Sequence, residues 1–257
     1  MIPLVDTHCH LLAGLDDGPR TDEDALAMCR IAYDEGIRMT CALAHQNDRW
    51  VEVTPDRIRE ATQRLAGQLR EAGIPLTVFP CSEVMVGPET EADWREGRLL
   101  SVADHGKFLL IEMPNGLFLD VRPLARKLIS AGVRPILAHA ERYPEYVEDT
   151  AAIEELVRIG CLVQVSTKGI TEPPPGRGAS ELRSWFKRGI VHVLGTDAHS
   201  PRRRSPRYAD AYRQVVRWVG NAATDRICST NGMAILQGLP VRVPEIQPRS
   251  RLWFAWW

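Results

Sequence analysis

Two histidines flank a cysteine in the stretch LVDTHCHLLAGLDDG, and Asp16 and Asp17 follow closely. Imidazoles and carboxylates placed directly behind a short apolar run either hold metal or sit as ordinary surface residues at a strand end. The same juxtaposition recurs along the chain. His45 follows the run MTCALA, Glu83 follows LTVFPCS, Glu112 follows FLLI, His139 follows RPILA, and Asp197 and His199 follow VHVLGT. A lone histidine after a strand is usually solvated or satisfied. Six of seven expected strands ending on a histidine or carboxylate are hard to assign to chance; the remaining one offers only Gln164 and Ser166.

In an extended segment, residues i and i+2 point the same way. His8 and His10 are therefore expected on one side with Cys9 on the other, and Asp197 and His199 are expected to repeat that arrangement. Neutral imidazole plus carboxylate is a borderline-to-hard donor set that suits Zn, Mn or Fe, not copper(I) or an iron–sulfur cluster. The candidate ligands are His8, His10, Asp17, His45, Glu83, Glu112, His139, Asp197 and His199. At roughly three to five protein ligands per catalytic metal, they are too many for one ion and fit two or three. Four of the nine are carboxylates. Two divalent ions would only cancel their charge, whereas three would leave about +2, which favours an anionic substrate such as a phosphate ester. The other two histidines fall elsewhere: His192 lies inside a strand run, in the core or at an edge, and His105 lies in the polar ADHGK loop, at the surface.

These residues need a scaffold that brings strand ends together. Strands are expected at 2–5, 39–44, 76–81, 108–111, 134–138, 161–165 and 191–195, because short β-branched apolar runs suit parallel strands buried on both faces. Helices are expected between them, at 22–35, 55–72, 119–131, 145–159 and 180–188, with two more at 206–219 and 222–236. Thr21 and Thr54 are placed to cap the first two, Pro55 suits a first helical turn, and Gly36, Gly73, Gly132, Gly160 and Gly189 stand where helices stop. About seven β-α units without a long linker point to one parallel sheet closed into a distorted barrel, with an open doubly wound sheet as the alternative. A barrel sends all its strand carboxyl ends to one mouth. Neither GxGxxG after the first strand nor a GxxxxGK[ST] loop is present, so nucleotide cradling has no support.

The chain has 257 residues, enough for a large core, and its net charge of −1 gives no general argument for nucleic-acid binding. The exception is local, the basic run Arg202-Arg203-Arg204 with Arg207. Six cysteines without a CxxC pair read as reduced core residues in a reducing compartment. No signal peptide and no apolar run near the ~20 residues of a membrane span are evident, which makes the cytoplasm the default location. The end, RLWFAWW, places Trp253, Phe254, Trp256 and Trp257 together. Such a tail suits docking on its own domain, a partner subunit or a membrane interface, or is foreign to the native chain. Residues 1–240 are expected to form one domain and 241–257 a C-terminal tail.

The string HCHLLAGLDDGPRTDEDALAMCRIAYDEGI resembles the start of the polymerase-and-histidinol-phosphatase (PHP) superfamily, and more closely its bacterial tyrosine-protein phosphatases of capsule and exopolysaccharide biosynthesis. The likeness continues through SEVMV, FLLIEMP, PILAHAERYP, GCLVQVS and HVLGTDAHS, over roughly residues 4–235. It implies a distorted (β/α)7 barrel with a metal cluster, often of manganese, held by the nine residues named above. It also implies that Arg142, in HAERY, and Arg204, in SPRRRSP, bind the substrate phosphate, with His45 and Asp17 among the catalytic residues. A bacterial tyrosine kinase as phosphotyrosine substrate follows from the resemblance alone, and the aromatic tail leaves a homo-oligomer open. One departure stands out: where the family commonly has a second histidine or a basic residue after His45, this chain has Gln46 and Asn47.

The expected reaction is hydrolysis of a phosphomonoester by metal-activated water attacking in line, with arginines on the equatorial oxygens. The chain has no CxxxxxR loop of the kind thiol phosphatases use. The rivals are a phosphatase for a small metabolite such as histidinol phosphate, and a metal-binding regulatory module without turnover.

Overall fold

The computed structural model describes residues 2–248. The aromatic tail lies outside the described residues. Seven strands, β1 (Leu4–His10), β2 (Ile37–Gln46), β3 (Thr77–Met85), β4 (Phe108–Glu112), β5 (Arg134–Leu137), β6 (Leu162–Ser166) and β7 (Val193–Gly195), pair in sequence order, every pair parallel. β1 and β7 meet again at a parallel bridge between Cys9 and Ala198, so the sheet is a nearly closed barrel. His10 N donates to Ala198 O at 2.9 Å and Asp197 N to His8 O at 2.7 Å across this seam.

The helices on the outside are α1 (Asp22–Asp34), α2 (Pro55–Glu71), α3 (Thr90–Arg95), α4 (Arg122–Ser130), α5 (Pro144–Glu148), α6 (Thr150–Ile159), α7 (Thr167–Thr171), α8 (Gly178–Arg188) and α9 (Ala209–Asp225); α10 (Asn231–Leu236) follows. The Thr21 and Thr54 hydroxyls accept from Asp24 N and Arg57 N, as N-caps should. The single helix expected at 145–159 is two, because the Asp149 carboxylate accepts from Ala151 N and starts a new helix there. Gly220, at φ 77°, breaks α9 where a boundary between two helices was expected. Helix α4 is shorter than expected, beginning at Arg122 with Pro123 in its first turn.

Strand alternation divides the core into two layers. On β4, Leu109 and Ile111 pack outward against the helices, while Phe108 and Leu110 belong to an inner cluster with Val5, Cys41, Cys81, Ile136, Leu162 and Val193. Ile235 and Leu236 of α10 join that inner cluster and close the barrel at the strands' amino ends. Continuing each inner row toward the carboxyl end reaches Glu112 on β4, His45 on β2, Glu83 on β3 and Gln164 on β6. The barrel is therefore apolar at its base and polar at its mouth.

β1 departs from this parity: Val5 lies in the inner cluster, yet the rings of His8 and His10 meet each other in the mouth. A register irregularity between Asp6 and Cys9 supplies the extra residue. β1, β2 and β3 also run well past their expected ends. The added stretches carry polar residues, His8 and His10 on β1, His45 and Gln46 on β2 and Glu83 on β3, which hydropathy does not assign to a strand but which find partners in the barrel.

His192 is buried at the base, where its Nδ1 accepts from Val163 N at 2.9 Å and its backbone N donates to Val163 O at 2.9 Å. It is a core histidine. Burial, and then the charge of Arg134, push its imidazole down to about 3. The unfolded chain therefore binds a proton at this position that the folded chain refuses. Its stability contribution is complete above about pH 6.5 and is lost as pH falls toward 3. The free energy of unfolding should fall by up to about 1.4 kcal/mol more per pH unit in this window for the native chain than for His192→Gln. Urea melts from pH 6.5 to pH 4 measure the two slopes, and parallel slopes would exclude this role.

Candidate metal centre

Glu83 stands at the centre of the mouth. Its Oε2 lies 3.2 Å from His8 Nε2, 3.2 Å from His10 Nε2 and 3.3 Å from His45 Nδ1, and its Oε1 accepts from or faces His139 Nε2 at 2.8 Å. Glu112 Oε1 is 3.0 Å from His45 Nδ1. Asp17 Oδ1 bridges His45 Nε2 at 3.4 Å and His199 Nε2 at 3.3 Å. Asp197 Oδ1 is 3.3 Å from His8 Nε2 and 3.6 Å from His199 Nδ1. All nine expected ligands thus meet in one place, from positions 8 to 199 of the chain.

The expected extended pair Asp197–His199 is not extended. β7 ends at Gly195, and Asp197 is left-handed, with φ 51°. Asp6 makes this turn: its Oδ1 accepts from Thr196 N at 2.9 Å and from His8 N at 3.0 Å, and its Oδ2 from Thr196 Oγ1 at 2.6 Å. One buried carboxylate therefore locks the β7 exit to β1. His139 is left-handed too, with φ 33°. Both are unfavourable for residues with a Cβ, by about 1 kcal/mol or more, and persist because the surrounding hydrogen bonds over-determine them.

Orienting partners fix which nitrogens face the mouth. His8 Nδ1 donates to Gln164 Oε1 at 2.8 Å. The amide orientation is set because Gln164 Nε2 donates to Thr7 Oγ1 at 2.8 Å, and Thr7 Oγ1 in turn donates to Leu194 O at 2.8 Å. His10 Nδ1 donates to Asp16 Oδ2 at 2.7 Å; the same carboxylate accepts from His45 N at 2.9 Å and Gly18 N at 2.8 Å. Both rings therefore carry the Nδ1 proton and turn Nε2 inward, the orientation of a metal-ligating imidazole. Asp16 was not among the expected ligands. Its neighbour Asp17 faces the cluster, and nothing in the string LDDG distinguishes the two aspartates.

The electrostatics are those of a site built for cations. Burial works against the charged form of His8, yet Glu83 and Asp197 raise its imidazole well above the usual range. Burial likewise opposes ionisation of Glu83, but the charges of His8 and the hydrogen bonds of His10 and His139 hold it well below. His45 is brought up to about 10, against burial, by Asp17 and Glu112. Hydrogen bonds from His199 and His45 hold Asp17 far down. With protons alone, the cluster balances only if buried imidazoles are charged. Divalent ions would take the place of those protons.

Two further observations fit metal. Among the described residues, three overlapping sets offer donor atoms mutually within 4.8 Å: His10, Asp17, His45 and His199; His8, His10, Glu83 and Asp197; His45, Glu83 and Glu112. His45 Nδ1 and Glu112 Oε1 are buried side by side without a hydrogen bond between them, which leaves room for a shared third partner.

Arg142 and Arg204 flank the cluster. Both guanidinium groups bond Asp197 Oδ2, and Arg204 Nη2 also donates to Asp197 O at 3.1 Å. Arg142 is carried on the turn after His139, which Glu141 anchors by accepting from Ser166 N at 3.1 Å and from the Ser166 hydroxyl. Gly169 permits this: a Cβ there would stand 2.5 Å from Glu141 Oε1. Gln46 turns away from the mouth, donating to Val53 O and Arg98 O and accepting from Leu100 N. Asn47 caps the following turn by accepting from Arg49 N. All six cysteines are buried and free, and burial pushes Cys29, Cys161 and Cys228 up to about 12, which removes them as nucleophiles.

The profile of the capsular polysaccharide synthesis family CpsB/CapC matches residues 4–237. Tyrosine-protein phosphatase YwqE of Bacillus subtilis strain 168 is 31% identical over 210 residues, covering 79% of this chain and 80% of that protein. Tyrosine-protein phosphatase CpsB of Streptococcus pneumoniae is 22% identical over 223 residues, covering 84% of this chain and 91% of that one. A crystal structure from a study of YwqE and S. pneumoniae CpsB, metal-dependent tyrosine phosphatases, superposes with a TM-score of 0.88 at 27% identity, covering 96% of this chain and 100% of that one. Dihydropyrimidinase from Brevibacillus agri shares the fold alone, with a TM-score of 0.56 at 14% identity over 95% of this chain and 73% of that one.

Gly195 marks the tightest point of the mouth. A Cβ at this position would lie 2.3 Å from His8 Cβ and 3.1 Å from Gln164 Cδ. Gly195→Ala must therefore push His8 off Gln164. The variant should lose about 1–3 kcal/mol of stability, the scale of overpacking in a core, as measured by urea melts. Unchanged stability would mean that the seam yields without moving His8.

Proposed function

We propose that the chain, which belongs to the CpsB/CapC family, is a metal-dependent tyrosine-protein phosphatase that acts on a phosphotyrosine protein of polysaccharide synthesis. The observation that carries this is the convergence of nine imidazole and carboxylate groups on one mouth with two arginines at its rim. The ligands are His8, His10, Asp17, His45, Glu83, Glu112, Asp197 and His199, which make up the three donor sets, and His139, which joins them beside Glu83; together they suit two or three ions, manganese first, with iron or zinc as the alternatives. Bound divalent ions would lower the pKa of water and draw charge from the phosphoryl oxygens.

The residues of the chain do the rest. Arg142 and Arg204 bind the equatorial oxygens; planar guanidinium groups suit this geometry better than lysine does. Both now lie on Asp197 Oδ2, so an arriving phosphate competes with that carboxylate for them. Their position is set from behind by the Glu141–Ser166 anchor on one side and the Asp6–Thr196 lock on the other. His45 and Asp17, at the more open side of the mouth, are placed to handle protons near the leaving group. A tyrosine phenolate has a pKa near ~10 and needs less protonation than an alkoxide, which favours an aryl ester.

The partner that fits is a tyrosine kinase of the same pathway, encountered in the cytoplasm. Among the described residues no helix is long and apolar enough to cross a membrane. Residues 1–240 serve as the catalytic domain, and 241–257 as a C-terminal tail whose first part docks back, with Gln247 N donating to Arg188 O at 2.9 Å.

Elemental analysis of the purified protein should find two or three divalent ions per chain. Manganese-loaded protein should hydrolyse phosphotyrosine peptide in preference to histidinol phosphate, and a chelator should abolish turnover. The reverse preference would make the chain a small-metabolite phosphatase, and no turnover when loaded would make it a regulatory module. His10→Ala and Glu112→Ala should abolish turnover while leaving far-UV circular dichroism unchanged. Arg204→Ala should raise KM by about 10- to 100-fold, the worth of a lost charge-assisted hydrogen bond; unchanged kinetics would remove Arg204 from phosphate binding.

A further inference from the structure

A cleft of about 380 Å³ opens beside the mouth, lined by Asp197, Arg142 and Arg204 of the mouth, by the exposed Lys168 and Arg203, and by the carboxylates of Glu172 and Asp210. It lies between the chain segments that leave β5, β6 and β7. Its charges are unevenly matched. Asp197 is already held by Arg142 and Arg204, and Asp210 is held by Arg213. Arg207 is tied to Glu35, 2.9 Å away. Lys168 has only an exposed, 3.6 Å contact with Glu172 one helical turn on. Arg203 lines both this cleft and the neighbouring groove by Asp17, and its side chain has no ion pair among the described residues.

The outer cleft therefore holds two cations, Lys168 and Arg203, without a firm counter-charge, and it is continuous with the two arginines at the mouth. A peptide whose phosphotyrosine reached Arg142 and Arg204 would lay its neighbouring residues across this cleft. Given the phosphatase activity proposed above, on which this rests, we propose that Lys168 and Arg203 form a subsite for an acidic side chain flanking the phosphotyrosine. The subsite would select among phosphotyrosine sites by the charge of the surrounding sequence, which the mouth itself has no means to sense. An exposed pair of this kind contributes modestly and is screened by salt.

The test uses the full-length, manganese-loaded protein and two phosphotyrosine peptides that differ only in having glutamates or glutamines on either side of the phosphotyrosine. For the native chain, kcat/KM for the glutamate peptide should exceed that for the glutamine peptide by about fivefold at low salt. The ratio should fall toward one in Lys168→Ala/Arg203→Ala and drop below one in Lys168→Glu/Arg203→Glu. It should also shrink when NaCl is raised, for the native chain alone. A ratio near one in the native chain, or a preference that survives both double variants, overturns the subsite. Failure to hydrolyse either peptide, while p-nitrophenyl phosphate is turned over, would instead overturn the protein-phosphatase assignment.

Discussion

Charge balance inside a dry mouth is the constraint on which the structure depends. Glu83 is almost fully buried and has imidazole nitrogens of four histidines around its two oxygens. Taking one carboxylate out of water costs several kcal/mol unless opposite charge and hydrogen bonds replace the lost solvent. Here that replacement comes from His8, His10, His45 and His139, while Asp197 is held by His8, Arg142 and Arg204. Such an arrangement contributes little to stability compared with an apolar filling of equal volume. Its value lies in a ready set of lone pairs that exchanges protons for divalent cations.

The barrel supplies that arrangement through small departures from regularity. The irregularity in β1 turns His8 and His10 into the mouth although Val5 already faces inward. Gly195 occupies an inner position with no side chain, and the space is taken by His8. Left-handed residues at His139 and Asp197 aim a ligand and leave room for the turns that carry Arg142 and Arg204. Each of these is unfavourable alone. They are held by buried polar groups, Asp6, Gln164 and Glu141, that take no part in the cluster itself.

The same division separates general chemistry from selectivity. In the proposed reading, the buried imidazoles and carboxylates and the two rim arginines address a phosphate whatever carries it. The proposed subsite adds selectivity through Lys168 and Arg203, exposed cations that lack a firm counter-charge.

The seven β-α units, the parallel sheet and the set of histidines and carboxylates were legible in the sequence. They depend on local rules: branched apolar runs make buried strands, threonine and proline start helices, glycine ends them, and a barrel gathers its strand ends. The i, i+2 rule also placed His8 and His10 together, because that stretch is a strand. Asp197 and His199 also meet in the mouth, but through a left-handed turn that Asp6 imposes from 190 residues away in the chain, which hydropathy does not reveal. Nor could it separate Asp16 from Asp17, or show that Gln164 sets the tautomer of His8. Hydrogen bonds between residues of different β-α units, His8 to Gln164 and Asp16 to His45, decide these points, and only the barrel brings those partners within 3 Å of one another.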